Sequence, residues 1–161
     1  MDGRTSKEEY YLNIADAVLN RSTCLRRKYG AIIVRNDEII STGYNGAPRG
    51  RVNCTELGRC TRDELGIPSG QRYELCRSVH AEANAIISAA RRDMLGGTLY
   101  LVGRDAKTQE LLADTMPCSM CRRHIINAGI TQVVVRTGEG AYNVIHVRDW
   151  VANDESLPAL S

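Results

Sequence analysis

YGAIIVRNDEIISTGYNG, residues 29–46, predicts two short strands joined by a tight turn at Asn36–Asp37. Isoleucine and valine are typical of strands, and asparagine and aspartate tolerate the backbone that a two-residue hairpin loop requires. A helix is predicted before the hairpin, because apolar side chains in residues 7–22 recur at helical spacing and Ser6 is a candidate N-cap. That apolar set consists of Tyr11, Ile14, Ala15, Val18 and Leu19.

Beyond the hairpin, helical and strand patterns alternate along the chain. In order, the predicted segments are a helix, a strand, a helix and two strands: HAEANAIISAARR (80–92), TLYLVG (98–103), PCSMCRRHIINAG (117–129), TQVVVRT (131–137) and YNVIHV (142–147). Pro117 suits the start of a helix, and Gly129 suits its end. This alternation predicts an α/β fold, a three-layer α/β/α sandwich around a mixed sheet of about five strands.

The chain of 161 residues fits a single domain, 1–161, that is long enough to bury a hydrophobic core. Residues 49–78 interrupt the helix and strand patterns with glycines, charges and three cysteines at no clear period. An irregular cysteine-containing loop is therefore predicted there.

Charge and hydropathy limit the classes of partner. The net charge of +2 gives no support to strong sequence-independent binding of nucleic acid, and a local basic patch is the alternative that stays open. No apolar run reaches membrane-spanning length, and the first residues, MDGRTSKEEYYLN, lack the apolar core of a signal peptide. A cytoplasmic protein is predicted, and in that reducing compartment six cysteines favour metal binding or catalysis over disulfides.

Cys118 and Cys121 lie three residues apart near the predicted start of a helix. Unpaired backbone N–H groups and the helix dipole favour thiolates there, and two thiolates at this spacing can form half of a zinc site. Taken alone, the pair is equally compatible with a thioredoxin-like redox pair or with half of a structural zinc knuckle.

His80 and Glu82 are two residues apart, and ideal helical positions at that spacing point to nearly opposite sides. The two can share a task if His80 lies at the non-helical start of its helix and Glu82 lies in the first turn. His80, Cys118 and Cys121 would then be three zinc ligands with a fourth position open to water, and Glu82 would move the proton of that water. Taken alone, such a histidine is more often structural and such a glutamate more often solvated surface.

The joint pattern H-x-E … P-C-x-x-C is the signature of the zinc-dependent nucleobase deaminases. On this pattern, and on STCLRRKYGAIIV (22–34) and ISTGYNGAPRG (40–50), the chain resembles the cytidine and deoxycytidylate (dCMP) deaminase superfamily over roughly residues 8–135. The resemblance is strongest to the dCMP deaminases and their competence-operon relatives. GYNG and Asn84 favour this branch over the tRNA adenosine deaminases.

This resemblance implies a cytidine deaminase-like fold and hydrolytic removal of the amino group of dCMP, which gives dUMP and ammonia. Glu82 would pass protons to the ring nitrogen and to the departing amine. Asn45 matches the asparagine that contacts the sugar hydroxyl in related enzymes, and its alternative role is a turn residue with a left-handed backbone. The candidates for binding the phosphate are Arg26, Arg27, Lys28, Arg49 and Arg51.

A second, structural zinc is predicted from the other four cysteines, Cys24, Cys54, Cys60 and Cys76. The resemblance implies this role for Cys24 and Cys54, which match positions that bind such a zinc in some dCMP deaminases. Four thiolates would close a tetrahedral site. The alternative is four buried free thiols, since free cysteine packs like a small apolar residue.

The segment GRDAKTQELLADTM (103–116) departs from the family pattern and is expected near the mouth of the pocket, so the substrate base stays open. The alternative substrates are cytidine, a riboflavin-pathway pyrimidine, guanine and a tRNA adenosine. The rival from another class is a non-catalytic zinc-binding module. The resemblance further implies a homo-oligomer under allosteric control by dCTP and dTTP, with effector contacts near GYNG.

Overall fold

The predicted hairpin is present in the computed structural model, which describes residues 2–155 and 157. Strands β1 (Arg27–Arg35) and β2 (Glu38–Tyr44) pair in antiparallel fashion. Asn36 and Asp37 connect them with φ angles of 51° and 61°. Two successive left-handed residues are what a type I′ turn requires, and this turn matches the twist of its flanking strands. The sequence-based prediction of the turn is confirmed.

Three further strands complete one mixed sheet: β3 (Thr98–Asp105), β4 (Gln132–Gly138) and β5 (Ala141–His146). The strand order is β2-β1-β3-β4-β5. Strands β3 and β4 run parallel, whereas the other neighbouring strands are antiparallel. The mixed five-stranded sheet agrees with the prediction, and β3 continues two residues beyond its predicted end at Gly103.

Helices cover both faces of the sheet. Helix α1 (Lys7–Val18) packs on one face, over a core that includes Ile32. Helices α4 (Ala81–Ile87) and α6 (Ser119–Ala128) pack on the other face, over a core that includes Ile33. Because successive residues of a strand point to opposite faces, one strand supplies both cores. The predicted three-layer α/β/α sandwich is confirmed.

The remaining helices are short: α2 (Cys54–Leu57), α3 (Thr61–Glu64), α5 (Arg91–Met94) and α7 (Val147–Ala152), with 3₁₀ turns at Leu19–Arg21 and Tyr73–Leu75. Segment 49–78 contains α2, α3 and the second of these turns, and is otherwise irregular. Within the part of the chain that the structure describes, no helix has the length and apolar character needed to cross a bilayer.

The helix predicted at 80–92 is wrong in its second half. Helix α4 ends at Ile87, and α5 begins at Arg91 after an extended residue, Ala90, with φ −77° and ψ 143°. The small and apolar residues continue through this break, so their spacing does not reveal it. A separate short helix therefore leads the chain towards β3.

Helix α6 begins two residues later than predicted. Pro117 precedes the helix, and Cys118 is its N-cap with an extended backbone of φ −69° and ψ 168°. Gly129 ends α6 in the left-handed conformation, with φ 79°, as predicted. Ser6 also caps α1 as predicted, since its Oγ accepts a hydrogen bond of 3.2 Å from a backbone N–H of the first turn.

Two glycines bring helices into backbone contact with the sheet. A Cβ atom on Gly30 would lie 2.0 Å from the carbonyl oxygen of Ala15 in α1. A Cβ atom on Gly43 would lie 2.3 Å from the carbonyl oxygen of Ala81 and 2.4 Å from the backbone nitrogen of Ala85. Since no L side chain fits in these gaps, Gly43 fixes the distance between β2 and α4.

A buried polar network joins α1 to β4. Arg136 is 4% exposed, and its Nη2 donates hydrogen bonds to Glu9 Oε2 at 2.7 Å and to Asn13 Oδ1 at 2.8 Å. Asp16 lies 3.8 Å from the other terminal nitrogen of Arg136 and accepts two hydrogen bonds from Arg104. The charge of Arg136 is therefore balanced by carboxylates of α1.

Candidate metal centre and its cavity

The starts of two helices place the predicted site residues side by side. His80 is the N-cap of α4 with an extended backbone, at φ −69° and ψ 154°, and Glu82 lies in the first turn. Cys118 is the N-cap of α6, and Cys121 lies in its first turn. An N-cap residue has non-helical dihedral angles, so the rule for ideal helical positions does not apply to His80. The predicted placement of His80 at the non-helical start of its helix is confirmed.

The spacing of the three candidate ligands fits a zinc ion. His80 Nδ1 lies 3.6 Å from Cys118 Sγ and 3.4 Å from Cys121 Sγ. Tetrahedral zinc, with bonds of about 2.3 Å to sulfur and about 2.05 Å to nitrogen, holds the two atoms about 3.6 Å apart. Across residues 2–155 and 157, no other set of three histidine, cysteine or acidic side chains brings its ligand atoms within 4.8 Å of one another.

The ligand side chains share protons in the metal-free protein. Hydrogen bonds from Cys121 and His80 hold the pKa of the Cys118 thiol at about 3, although burial opposes this shift. The hydrogen bond to Cys118 raises the pKa of the Cys121 thiol, and burial raises it further. The hydrogen bond to Cys118 also raises the pKa of His80. These shifts favour a thiolate at Cys118, and metal binding would release the protons of the other two ligands.

Glu82 is a buried carboxyl group beside this trio. It is 5% exposed, and burial raises the pKa of its side chain above the ordinary value. A carboxyl group with a raised pKa can take up and release a proton nearer to neutral pH than a surface glutamate can. Its position therefore suits proton transfer at the metal.

A cavity with a volume of about 100 Å³ opens onto the trio. Its wall includes His80, Glu82, Cys118, Asn45 and Leu101. Since about 15 Å³ of such space accommodates one water molecule, the fourth ligand position has room for water.

Asn45 lies in the cavity wall and is held by three hydrogen bonds. Its Oδ1 accepts from Ser22 Oγ at 2.6 Å and from the backbone nitrogen of Tyr29 at 2.8 Å. Its Nδ2 donates to the carbonyl oxygen of Arg27 at 2.9 Å, which leaves the second N–H of the amide unused by these bonds. The alternative of a left-handed turn residue is wrong, because Asn45 is not among the residues with positive φ. Its contact with a sugar stays a prediction.

The five basic candidates for phosphate binding lie in different places. Arg26 and Arg27 line the cavity at the metal site. Arg49 and Arg51 line a separate cavity of about 250 Å³, and Lys28 lines a third. Proximity in sequence to the predicted pocket therefore does not identify the residues that reach it.

The other four cysteines lie near one another, but no three of their sulfur atoms come within 4.8 Å of one another. Cys24, Cys60 and Cys76 line the same cavity, and all four thiols are free. Burial raises the pKa of the Cys54 thiol, and the other three cysteines raise it further. Their sulfur atoms do not come as close together as the ligand atoms of the His80 trio. The second zinc stays a prediction.

Segment 49–78 also contributes cavity-lining residues that were not predicted from the sequence, namely Arg62, Ser69 and Tyr73. The Tyr73 ring meets the His80 ring edge-on, with 5.0 Å between the ring centroids. No periodic pattern in this segment marks these positions. An aromatic residue and an arginine between the cysteines are the signal that could have identified them.

Segment 103–116 reaches the cavity through Met116. Earlier in the segment, Leu111 forms an isolated bridge with Arg104, which folds the segment back along the end of β3. The segment therefore lies beside the cavity, as expected.

Comparison with known sequences places these residues in a family context. The family model described as "Cytidine and deoxycytidylate deaminase zinc-binding region" matches residues 5–137. The chain is 37% identical over 141 residues to the deoxycytidylate deaminase of Schizosaccharomyces pombe, covering 88% of this chain and 39% of that protein. It is 39% identical over 135 residues to the deoxycytidylate deaminase of Mycobacterium phage D29, covering 81% and 94%. The chain thus spans about two-fifths of the yeast relative and nearly all of the phage relative.

A solved structure shares the fold. The dCMP deaminase of cyanophage S-TIM5, in complex with dCMP and dUMP, superposes with a TM-score of 0.57 at 27% identity, covering 83% of this chain and 84% of that one. The predicted deaminase fold and the predicted zinc-binding character of the family are therefore confirmed.

Proposed function

We propose that this chain, which belongs to the cytidine and deoxycytidylate deaminase family, hydrolyses dCMP to dUMP and ammonia. One observation carries the proposal: buried Glu82 lies beside a His80–Cys118–Cys121 trio spaced for zinc, at a cavity with room for water. Relatives that cover most of this chain are deoxycytidylate deaminases, and a solved relative holds dCMP and dUMP.

In this proposal His80, Cys118 and Cys121 would hold a zinc ion, which when bound supplies the Lewis acidity that activates a water molecule. Glu82 would take one proton from the water and pass it to the ring nitrogen of cytosine as the water oxygen bonds to C4. It would then take the second proton from that oxygen and deliver it to the amino group, so that the C4–N bond breaks, ammonia leaves and a carbonyl group remains at C4. The raised pKa of the Glu82 carboxyl group supports both transfers, because a proton carrier must accept and release within one turnover.

The cavity wall supports binding of a nucleotide. The unused amide N–H of Asn45 suits a sugar hydroxyl, and Leu101 provides an apolar contact for a base. Arg26 and Arg27 supply positive charge at the same cavity. These contacts would orient the base towards the metal site.

Glu82→Gln in the zinc-loaded chain tests the catalytic role. Turnover of dCMP, followed as ammonia release, should fall about 100- to 10,000-fold because general acid–base transfer is lost. Zinc per chain should not change, since Glu82 is not a ligand. Glu38→Gln, at an exposed position of the hairpin, is the matched control and should leave both measurements unchanged. Undiminished turnover in Glu82→Gln would refute the proposal, and a chain with zinc but no deaminase activity would indicate the non-catalytic zinc-binding module.

Deamination of another base is the second candidate, because segment 103–116 departs from the family pattern and its Met116 lines the cavity, where a substrate base would bind. The test is a panel of dCMP, cytidine, a riboflavin-pathway pyrimidine, guanine and a tRNA adenosine substrate. Ammonia release from one of the others without release from dCMP would replace the substrate while leaving the chemistry in place.

We also propose a second zinc at Cys24, Cys54, Cys60 and Cys76, supported by the mutual proximity of these thiols. Metal analysis of the purified chain should then give about two zinc ions per chain. Cys54→Ser should lower that content to about one. A content of about one in the unchanged protein would favour free thiols instead.

We further propose that the protein is a cytoplasmic homo-oligomer and that dCTP and dTTP regulate its activity. The cavity beside GYNG is lined by Arg21, Arg49 and Arg51, and three guanidinium groups suit a triphosphate. Turnover of dCMP with each triphosphate, together with sedimentation in its presence and absence, tests the effector and the oligomer. Unchanged turnover and sedimentation would argue against this control.

A further inference from the structure

Arg62 is a buried cation in the wall of the cavity that contains the metal site. Arg62 is 6% exposed and lines the same cavity as His80 and Glu82. Its Nη2 donates to the carbonyl oxygen of Pro68 at 3.1 Å, and its guanidinium carbon lies 4.5 Å from the centroid of the Tyr73 ring. Its Nε has no hydrogen-bond partner in the described part of the chain.

Within residues 2–155 and 157, the charge of Arg62 has no anionic partner. A buried guanidinium group is costly unless an anion balances it, and its five N–H donors call for acceptors. Two neighbouring arginines have such partners: Arg26 lies 3.3 Å from Asp63, and Arg59 lies 3.6 Å from Glu64. Among the described residues, no carboxylate forms an ion pair with Arg62. The missing anion is therefore expected from a ligand of the cavity.

We infer that Arg62 binds the 5′-phosphate of the nucleotide substrate, an inference that rests on the proposed function. A planar guanidinium group donates two parallel hydrogen bonds to a phosphate. Tyr73 contacts Arg62 through its ring face and His80 edge-on, so one aromatic ring separates the cation from the metal site. This arrangement suits a nucleotide, in which the sugar separates the phosphate from the reacting base.

The competing partner for Arg62 is the group of thiols in the same cavity, Cys24, Cys60 and Cys76. If these bound a metal as thiolates, their negative charge could balance Arg62. The two roles differ in what the loss of Arg62 removes. A phosphate-binding residue changes affinity for nucleotides, whereas a partner of the thiolates changes metal content.

The test measures binding without turnover. The full zinc-loaded chain carrying Glu82→Gln is titrated by calorimetry with dCMP and with deoxycytidine. The same two titrations are repeated on the double variant Glu82→Gln, Arg62→Gln. Loss of a charged hydrogen-bonding partner should weaken dCMP binding about 10- to 100-fold and leave deoxycytidine binding within about twofold. Arg62→Lys keeps the positive charge but loses the pair of parallel hydrogen bonds, so the affinity for dCMP should fall less than in Arg62→Gln. Arg59→Gln, an exposed arginine of the same segment, is the matched control and should change neither affinity.

The results separate the possible roles. An equal loss of dCMP and deoxycytidine affinity, or no loss of either, would overturn the inference, and a fall in zinc content with an unchanged preference for dCMP would assign Arg62 to the thiols. If Arg62→Gln does not fold, Arg62→Lys is used instead. A preference for dCMP over deoxycytidine that is smaller than in the parent chain supports the inference, and an unchanged preference overturns it. A parent chain that prefers dCMP over deoxycytidine in binding but never releases ammonia would refute the proposed function and leave the phosphate site standing.

Discussion

Gly43→Ala tests whether the backbone contact between β2 and α4 sets the metal geometry. The new Cβ would lie 2.3 Å from the carbonyl oxygen of Ala81 and 2.4 Å from the nitrogen of Ala85. Both are backbone atoms, so no side-chain rotation can relieve the overlap. An ordinary contact of about 3.5 Å requires α4 to move by about 1 Å, and His80 and Glu82 would move with it.

A shift of this size is large for a metal site. Ligand distances tolerate about 0.2 Å, and a misplacement of about 1 Å costs about 100-fold in rate. We therefore expect Gly43→Ala to weaken zinc binding at least about tenfold and to reduce dCMP turnover about 100-fold. Overpacking should also lower the free energy of unfolding by about 1–3 kcal/mol.

The assays are competition with a zinc chelator, ammonia release from dCMP and unfolding in urea. Gly138→Ala is the matched control, because the nearest atom to its Cβ would be Ala141 Cβ at 3.9 Å, an ordinary contact. If Gly43→Ala binds zinc and turns over dCMP as the unchanged protein does, then the distance between β2 and α4 does not control the site.

Two further predictions concern stability. Burial raises the pKa of Glu82, so its contribution to the stability of the metal-free protein is full below the ordinary pKa of 4.5 and is lost as the pH rises through the folded value. Glu82→Gln should therefore raise the free energy of unfolding of the metal-free protein at neutral pH and change it little below pH 4.5. Urea unfolding at several pH values measures this, and a gain in stability that does not depend on pH would contradict the prediction. Arg136→Met leaves Glu9 without its cation, whereas Asp16 keeps Arg104, and the change should lower the free energy of unfolding by about 3 kcal/mol. Arg148→Met at an exposed position should have little effect. Equal stability of the two variants in urea would show that the network does not stabilise the fold.

The elements with strong local signals are those that the sequence predicts well. Asn36 and Asp37 favour a backbone that only a few turns use, and the runs of valine and isoleucine distinguish the strands from the helices. The pairing of His80 with Glu82 could also be resolved in advance, because only a non-helical start of the helix lets both act at one metal. These predictions depend on short-range geometry.

Features that depend on tertiary contacts could not be read in this way. The spacing of apolar residues does not indicate the break between α4 and α5. Arg62 lines the cavity because segment 49–78 folds beside the metal site. Arg49 and Arg51 follow GYNG closely in sequence but line a different cavity from Asn45. The direction of a side chain after an irregular turn is set by packing against residues distant in sequence, which local patterns do not reveal.

The parallel pairing of β3 and β4 has a consequence for how such a protein can change over evolution. Two parallel strands need a crossover connection from the end of one strand to the start of the next, and here α6 forms that connection. The chain between β3 and α6 therefore leaves the sheet at the carboxyl end of β3, beside the cavity. Insertions or deletions at this position can remodel selectivity while the paired strands and the ligand-bearing helices are kept. The scaffold and the choice of substrate can therefore diversify independently.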